Sequence, residues 1–364
     1  MFRKMLSLFT AAVMMLSLLA CCTAMADGTV ANTLAEDEDT LIVTYADKFE
    51  QLTYTDADTG LSITYNLYLP DGYDASASYP MVVFIGDSSC VGSDTYSLTQ
   101  GRGALVWATD EWQSVYPTIV AVPTYPVTIL DDHGSYTTTE YVELTKQFID
   151  YMKSEYAVGR VYGTGQSMGC MTTLILASEY PDLYDACMFV DGQWDISTLA
   201  GLESQTFVYF AAEDDTNAWN GAQEVMAMFD ADSVSYSYAQ WDGTWGVDDL
   251  SAAASDLFSA DENQYFISWK TGTIEPKSSG MGGSGAPSGG FGGSGSDSGE
   301  KPSGGFGGTG GNSGEKPSGG FGGPGSGEAP AGGMSSGTDS SAYHMASFDY
   351  AYNCVAVMEW LIQQ

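Results

Sequence analysis

Short apolar runs alternating with helix-length amphipathic stretches govern what this chain can fold into. Met81 to Ile85 reads MVVFI and Thr118 to Val122 reads TIVAV. Runs of this length, rich in β-branched residues, suit strands buried on both faces. Leu61 to Leu69 (LSITYNLYL) instead alternates at period two, as a half-buried strand does. Further strands are expected over 160–163, 186–190, 206–211 and 234–241. Helices are expected over 103–113, 138–156, 168–179 and 218–229. The second of these carries Tyr141, Leu144, Phe148, Ile149 and Met152 at helical spacing. One last amphipathic helix is expected over 346–363. Repeated strand–helix units imply an α/β fold, a mainly parallel sheet covered by helices on both faces.

Two segments stand outside that pattern. Pro-Ser-Gly-Gly-Phe-Gly-Gly begins at Pro287, Pro302 and Pro317, inside a Gly/Ser/Pro-rich tract over 277–338. Its apolar content is too thin to offset the entropy of ordering the backbone, so it reads as a disordered insertion. Evenly spaced Phe291, Phe306 and Phe321 are either contact points for a partner or parts of a plain spacer. At the start, Arg3 and Lys4 precede an apolar run from Met5 to Ala20. That run is shorter than the roughly 20 residues of a membrane span and fits a signal peptide over 1–26. Ala24-Met25-Ala26 offers an ordinary cleavage site, whereas Leu18-Leu19-Ala20-Cys21 resembles a lipobox that would leave a lipid anchor on Cys21. The expected order is therefore signal peptide, acidic linker 27–40, core 41–276, insertion 277–338, and the end of the core, 339–364. Export places the protein outside the cell, free or anchored at the surface.

Charge and cysteine content exclude several classes. A formal net charge of −36 is the opposite of the basic footprint that a phosphate backbone demands, so no nucleic-acid partner is expected. Beyond Cys21 and Cys22, the chain holds Cys90, Cys170, Cys187 and Cys354, too widely spaced for a zinc site. Cys170 and Cys187 lie in apolar stretches and read as buried small hydrophobes. No metal and no cofactor are expected.

The chemistry concentrates at Gly165-Gln166-Ser167-Met168-Gly169. The same G-x-S-x-G spacing recurs at Gly333-Met334-Ser335-Ser336-Gly337, so spacing alone decides nothing. Context separates them. A strand runs into Ser167 and an apolar helix leaves from Met168, which is the setting of a nucleophile elbow, while Ser335 sits in the glycine tract. A serine hydroxyl needs a base, and the chain has only two histidines. In this architecture the order is serine, acid, histidine. His133 precedes Ser167, in an Asp131-Asp132-His133-Gly134 turn, so His344 is the candidate base, expected in a loop before the last helix. The acid should follow an intervening strand. The run TFVYFAAEDD offers Asp215, with Asp214 as the near alternative, and Asp191 follows the preceding strand. Two backbone donors for an oxyanion are expected: Met168 N–H, and one from Asp87 or Ser88 in the loop after MVVFI. The Asp87 carboxylate should point away from that hole.

The residues GRVYGTGQSMG, YPDLYDA, VDGQWD and YHMASFDYAY…EWLIQ resemble the α/β-hydrolase superfamily. They are most similar to secreted bacterial esterases grouped with polyhydroxybutyrate depolymerases, feruloyl esterases and prolyl-oligopeptidase-like hydrolases. The resemblance covers about residues 40–275 and 340–364. It implies an α/β-hydrolase fold with Ser167 as nucleophile, Asp215 as acid and His344 as base, cleaving small-molecule or polymeric carboxylic esters. A peptidase of the prolyl-oligopeptidase type, or an inactive hydrolase fold used for surface binding, are the alternatives. Gly86-Asp87 stands where many members carry His-Gly, and Cys170 where a second glycine is common, which implies tight packing behind the elbow. Trp194, Trp219, Trp241 and Trp245 lie in or near loops after strands, where they would line a substrate site or pack for stability.

Overall fold

The computed structural model describes residue 30 and residues 37–132, 134–276 and 340–364. These belong to one compact unit. The signal peptide, most of the linker, His133, Ser335 and the glycine tract lie outside the described residues.

Eleven strands are described. They are β1 (Glu50–Thr55), β2 (Ser62–Tyr68), β3 (Tyr79–Ile85), β4 (Ile119–Thr124), β5 (Leu130–Asp131), β6 (Thr137–Thr138), β7 (Val158–Gln166), β8 (Ala186–Val190), β9 (Phe207–Ala212), β10 (Ser237–Trp241) and β11 (Gln264–Trp269). Nine of them form one sheet in the order β1-β2-β4-β3-β7-β8-β9-β11-β10, and β5 and β6 form a separate ribbon. β1, β2 and β4 pair antiparallel, and from β4 onward every pairing is parallel. The helices are α1 (Glu38–Tyr45), α2 (Asp110–Val115), α3 (Glu140–Glu155), α4 (Met168–Glu179), α5 (Thr216–Asp232), α6 (Val247–Phe258), α7 (Ser340–Tyr352) and α8 (Val355–Ile362).

Alternation along the strands splits the core in two. Val82 and Phe84 of β3 face one layer, with Val120, Val122 and the last two helices. Met81, Val83 and Ile85 face the other, with α3, α4 and α5. Both faces are covered, so these strands read as continuous apolar runs. Helix α4 is buried from Met168 to Ser178, because it lies over the middle of the sheet. Its apolar residues therefore run all round rather than along a stripe.

Several elements depart from the sequence reading. The stretch expected as a helix over 103–113 is a 3-10 turn (Leu105–Ala108) followed by α2. Thr109 divides them: its backbone is extended and its hydroxyl accepts from Trp112 N, the kind of side-chain bond that starts a new helix. The last strand of the sequence reading, 234–241, is not the last in the chain. After β10 come α6 and β11, and β11 inserts between β9 and β10. The final helix is two helices, and it begins six residues earlier than expected. Asn353 and Cys354 break it, and each half presses its own apolar face on the sheet. His344 therefore lies in helix α7, not in a loop before it. Helix α1 likewise begins inside the expected linker, at Glu38, with the Asp37 carboxylate capping Thr40 N at 2.9 Å.

Candidate active site

β7 occupies the centre of the sheet, and Ser167 follows its last residue directly. The serine has φ 52° and ψ −117°, a left-handed conformation that costs about 1–3 kcal/mol in a non-glycine residue. Its amide donates to Val190 O at 3.1 Å, and its carbonyl accepts from Met171 N at 2.9 Å. The flanking glycines are needed for close approach. A Cβ on Gly169 would stand 1.9 Å from Ile85 O, and one on Gly165 would stand 2.5 Å from Gly169 C. The bend is thus held by backbone pressed on backbone, and it lifts the hydroxyl over the sheet edge.

Asp215 and His344 converge on that hydroxyl. His344 Nε2 lies 2.8 Å from Ser167 Oγ, and His344 Nδ1 lies 2.5 Å from Asp215 Oδ2. Asp215 is buried in the turn after β9, where its amide donates to Ala212 O and its other oxygen accepts from Ala218 N at the start of α5. Burial by itself would lower the His344 pKa. The bond to Asp215 and the negative charges of Asp215, Asp191 and Asp87 outweigh it, so the imidazole holds its proton more tightly than usual.

Three consecutive acids follow β9, and the fold gives each a different partner. Glu213 accepts from Ser268 Oγ and from the Thr271 amide. Asp214 accepts from Gly272 N at 2.7 Å, on the loop after β11. Only Asp215 of the three meets His344. Asp191 is completely buried at the end of β8, with Oδ1 accepting from Ala212 N at 2.7 Å.

On the other side of the elbow, β3 pairs with β7 so that Ile85 lies opposite Gly165. This brings the loop after β3 beside Ser167. The Asp87 carboxylate is buried and turned into a set of amides: Ser89 N at 2.7 Å, Gln166 Nε2 at 3.0 Å, and Gln100 Nε2. Sequence reading placed that side chain away from the hole but found neither glutamine. Cys90 N donates to Asp87 O. Ser88 opens this turn and lines the pocket with Ser167 and Met168.

The pocket beside Ser167 has a volume of about 720 Å³ and is lined by Leu130, Met168 and Met171 among apolar groups and by Asp131, Asp132, Gln193 and Asn217 among polar ones. None of the four tryptophans weighed as lining or packing residues lines it. Trp241 is 2% exposed and packs edge-on against Phe210 and Trp269, because as the last residue of β10 it faces the core. Trp194 is buried against Tyr136, Trp219 stacks on Tyr238, and Trp245 is exposed beyond β10. One wall comes instead from the β5–β6 ribbon and its flanks, whose short sequence carries no periodic signal. The packing expected behind the elbow is present: a Cβ on Gly192 would stand 2.7 Å from Cys170 Cβ. Cys90, Cys170, Cys187 and Cys354 are all free and buried, and burial pushes the Cys170 thiol far up.

A mostly parallel sheet, a serine at a strained strand–helix turn, and a histidine delivered by a helix after the last strand together define an α/β-hydrolase fold. The chain belongs to the putative esterase family, whose sequence model matches residues 57–275. The match ends before His344. Among solved structures, a thermostable esterase is similar at 23% identity and a TM-score of 0.50, over 63% of this chain and 56% of that one. This chain thus spans little more than half of that relative. A ferulic acid esterase from Anaeromyces mucronatus, in complex with ferulic acid, is similar at 17% identity and a TM-score of 0.37, over 51% of this chain and 80% of that one. A feruloyl esterase module from Clostridium thermocellum, complexed with sinapinate, is similar at 14% identity and a TM-score of 0.41, over 64% and 84%. Comparison with curated proteins finds no match.

Proposed function

We propose that the protein is an extracellular carboxylic ester hydrolase that works through an acyl-enzyme on Ser167. The observation that carries this reading is the unbroken hydrogen-bond line from Ser167 Oγ through His344 to Asp215. Ser167 Oγ attacks the ester carbonyl carbon while His344 Nε2 takes the hydroxyl proton. Asp215 fixes the tautomer with Nδ1 protonated and stabilises the imidazolium. The oxyanion is held by the N–H of Met168, in the first turn of α4 where helical acceptors are missing, and by the N–H of Ser88. The amides of Ser89 and Cys90 already donate to Asp87, which leaves the N–H groups of Asp87 and Ser88, and Ser88 is the one of the two that lines the pocket. The tetrahedral intermediate then collapses. The C–O bond to the alcohol breaks, and the proton on Nε2 passes to the leaving oxygen. Water repeats the sequence to release the acid and restore Ser167.

Family membership and the uninterrupted triad geometry favour this reading over an inactive binding module. The peptidase alternative has no observation of its own. Asp131, Asp132 and Asp215 line the pocket without a lysine or arginine among its described residues, which favours uncharged esters over anionic ones. The leader over 1–26 supports export, with cleavage after Ala26 or lipidation at Cys21.

The test is incubation with a fluorophosphonate probe and with p-nitrophenyl acetate. Labelling that maps to Ser167, with hydrolysis of the neutral acetate faster than that of a succinyl ester, is expected. A protein that neither labels nor hydrolyses either ester would overturn the proposal. For the acid, Asp215→Asn should lower kcat by about 10⁴-fold, as loss of the correct tautomer does. Asp214→Asn should leave kcat within about threefold, because Asp214 serves the loop after β11 rather than the imidazole. An Asp214 variant as damaged as the Asp215 variant would reverse that assignment.

A further inference from the structure

Behind the triad lies a second carboxyl that the mechanism does not use. Asp191 is 0% exposed and follows β8 with φ 45°, a conformation that is rare outside glycine. Its surroundings tie it to all three members of the triad. Oδ1 accepts from the amide of Ala212, whose carbonyl in turn accepts from Asp215 N. The following residue, Gly192, packs so closely that a Cβ there would stand 2.9 Å from Ser167 O. On the third side is Ser347, wholly buried, whose hydroxyl donates to the His344 carbonyl at 2.8 Å. Ser347 is also within hydrogen-bonding reach of the Asp191 carboxyl, and while its proton goes to the His344 carbonyl, Asp191 Oδ2 is buried without a partner. An unpartnered carboxylate oxygen in a wholly buried site is costly, and such a site favours the neutral acid.

We infer that Asp191 is a positioning residue for the triad, a buried carboxyl wedged between the strand end carrying Asp215 and the helix carrying His344, whose charge state tunes the base. The inference rests on the proposed Ser167–His344–Asp215 mechanism. The titratable groups that face Asp191 are Asp215, His344, the Cys170 thiol and the phenols of Tyr209 and Tyr352. His344 is the one cation among them, and only when protonated. Burial first, then the Asp215 charge, pushes Asp191 up to about 7, against weaker opposing effects of Ser347 and His344. Asp191 is therefore mainly neutral in acid and ionises through neutrality. Each ionised Asp191 makes protonated His344 more favourable, so it delays the appearance of the free base as pH rises.

Removing that charge has a defined sign. Asp191→Asn keeps an oxygen for Ala212 N and keeps the volume, but it can never be negative. The rising limb of kcat/KM against pH should move to lower pH by about half a unit or more. The same shift should appear in the imidazole C–H signal of His344, followed by NMR in the resting protein. The chain has only two histidines, so the signal is assigned by comparison with His133→Gln. The NMR arm needs no turnover, so it tests Asp191 even if ester hydrolysis itself fails. A purely structural role would lower activity evenly across pH and leave the His344 titration where it was, and that outcome overturns the inference. Asp191→Ser serves beside Asp191→Asn as a smaller neutral replacement. Collapse of both variants in circular dichroism would make Asp191 a folding determinant only and would equally overturn it.

Discussion

Ser167→Ala is expected to lower kcat for p-nitrophenyl acetate by about 10⁴-fold or more, with the melting temperature held or raised. The substitution removes one oxygen and nothing that the backbone needs. The turn is held by the Gly165 and Gly169 contacts with Ile85 and by the bonds of Ser167 N and O, none of which involve the hydroxyl. Alanine meets the same positive φ at similar cost, so fold and function should separate cleanly at this position. His344→Ala should cost nearly as much in rate. The double variant should cost little more than either single one, because the groups act as a unit. A Ser167→Ala protein within about tenfold of wild-type turnover would remove Ser167 from the mechanism.

A chain ending at Ser347 should fail to fold cooperatively. It loses Phe348, Ala351 and Tyr352 from the second half of α7 and all of α8, where Val355, Val357, Met358, Leu361 and Ile362 are buried. At about 1.5–3 kcal/mol for each large apolar side chain, the five from α8 alone amount to roughly 10 kcal/mol. That is comparable with the whole stability of an ordinary domain, about 5–15 kcal/mol. Specific bonds go too: Tyr352 Oη and Thr164 Oγ1 lie 2.9 Å apart in the core, and Tyr162 Oη donates to Ile362 O at 2.8 Å. His344 would remain in the chain but would lose the packing that fixes it. Circular dichroism melting beside ester hydrolysis decides this. A sharp transition near that of the full-length protein, with activity retained, would mean that the last helices are dispensable.

The parallel core was legible because its strands are buried on both faces and so announce themselves as apolar runs, as at Met81 to Ile85 and Phe207 to Ala212. The elbow was legible for a related reason. Its glycines are imposed by contacts inside one strand–turn–helix unit, and local geometry of that kind leaves its mark on neighbouring residues. The expected order of serine, acid and base was the one that the elbow architecture implies, and with two histidines in the chain it left a single candidate after Ser167.

What the sequence could not decide is what depends on residues far apart in the chain. Among the acids after β9 the sequence preferred Asp215 with Asp214 beside it, and only the turn after β9 and the loop after β11 give Glu213, Asp214 and Asp215 their separate partners. The tryptophans look alike as a set until strand pairing buries Trp241 against Phe210 and leaves Trp245 outside. The last helix begins at Ser340 rather than at residue 346, which moves His344 from an expected loop onto a helix, and its break at Asn353 and Cys354 carries no proline or glycine to announce it. Asp191 was one of three possible acids in the sequence. In the fold it is a buried carboxyl touching the supports of Ser167, His344 and Asp215, because β8 lies between β7 and β9 and its end reaches both. Short-range sterics and apolar periodicity are written in consecutive residues, whereas the partner of each charge is set by which strand ends the sheet brings together.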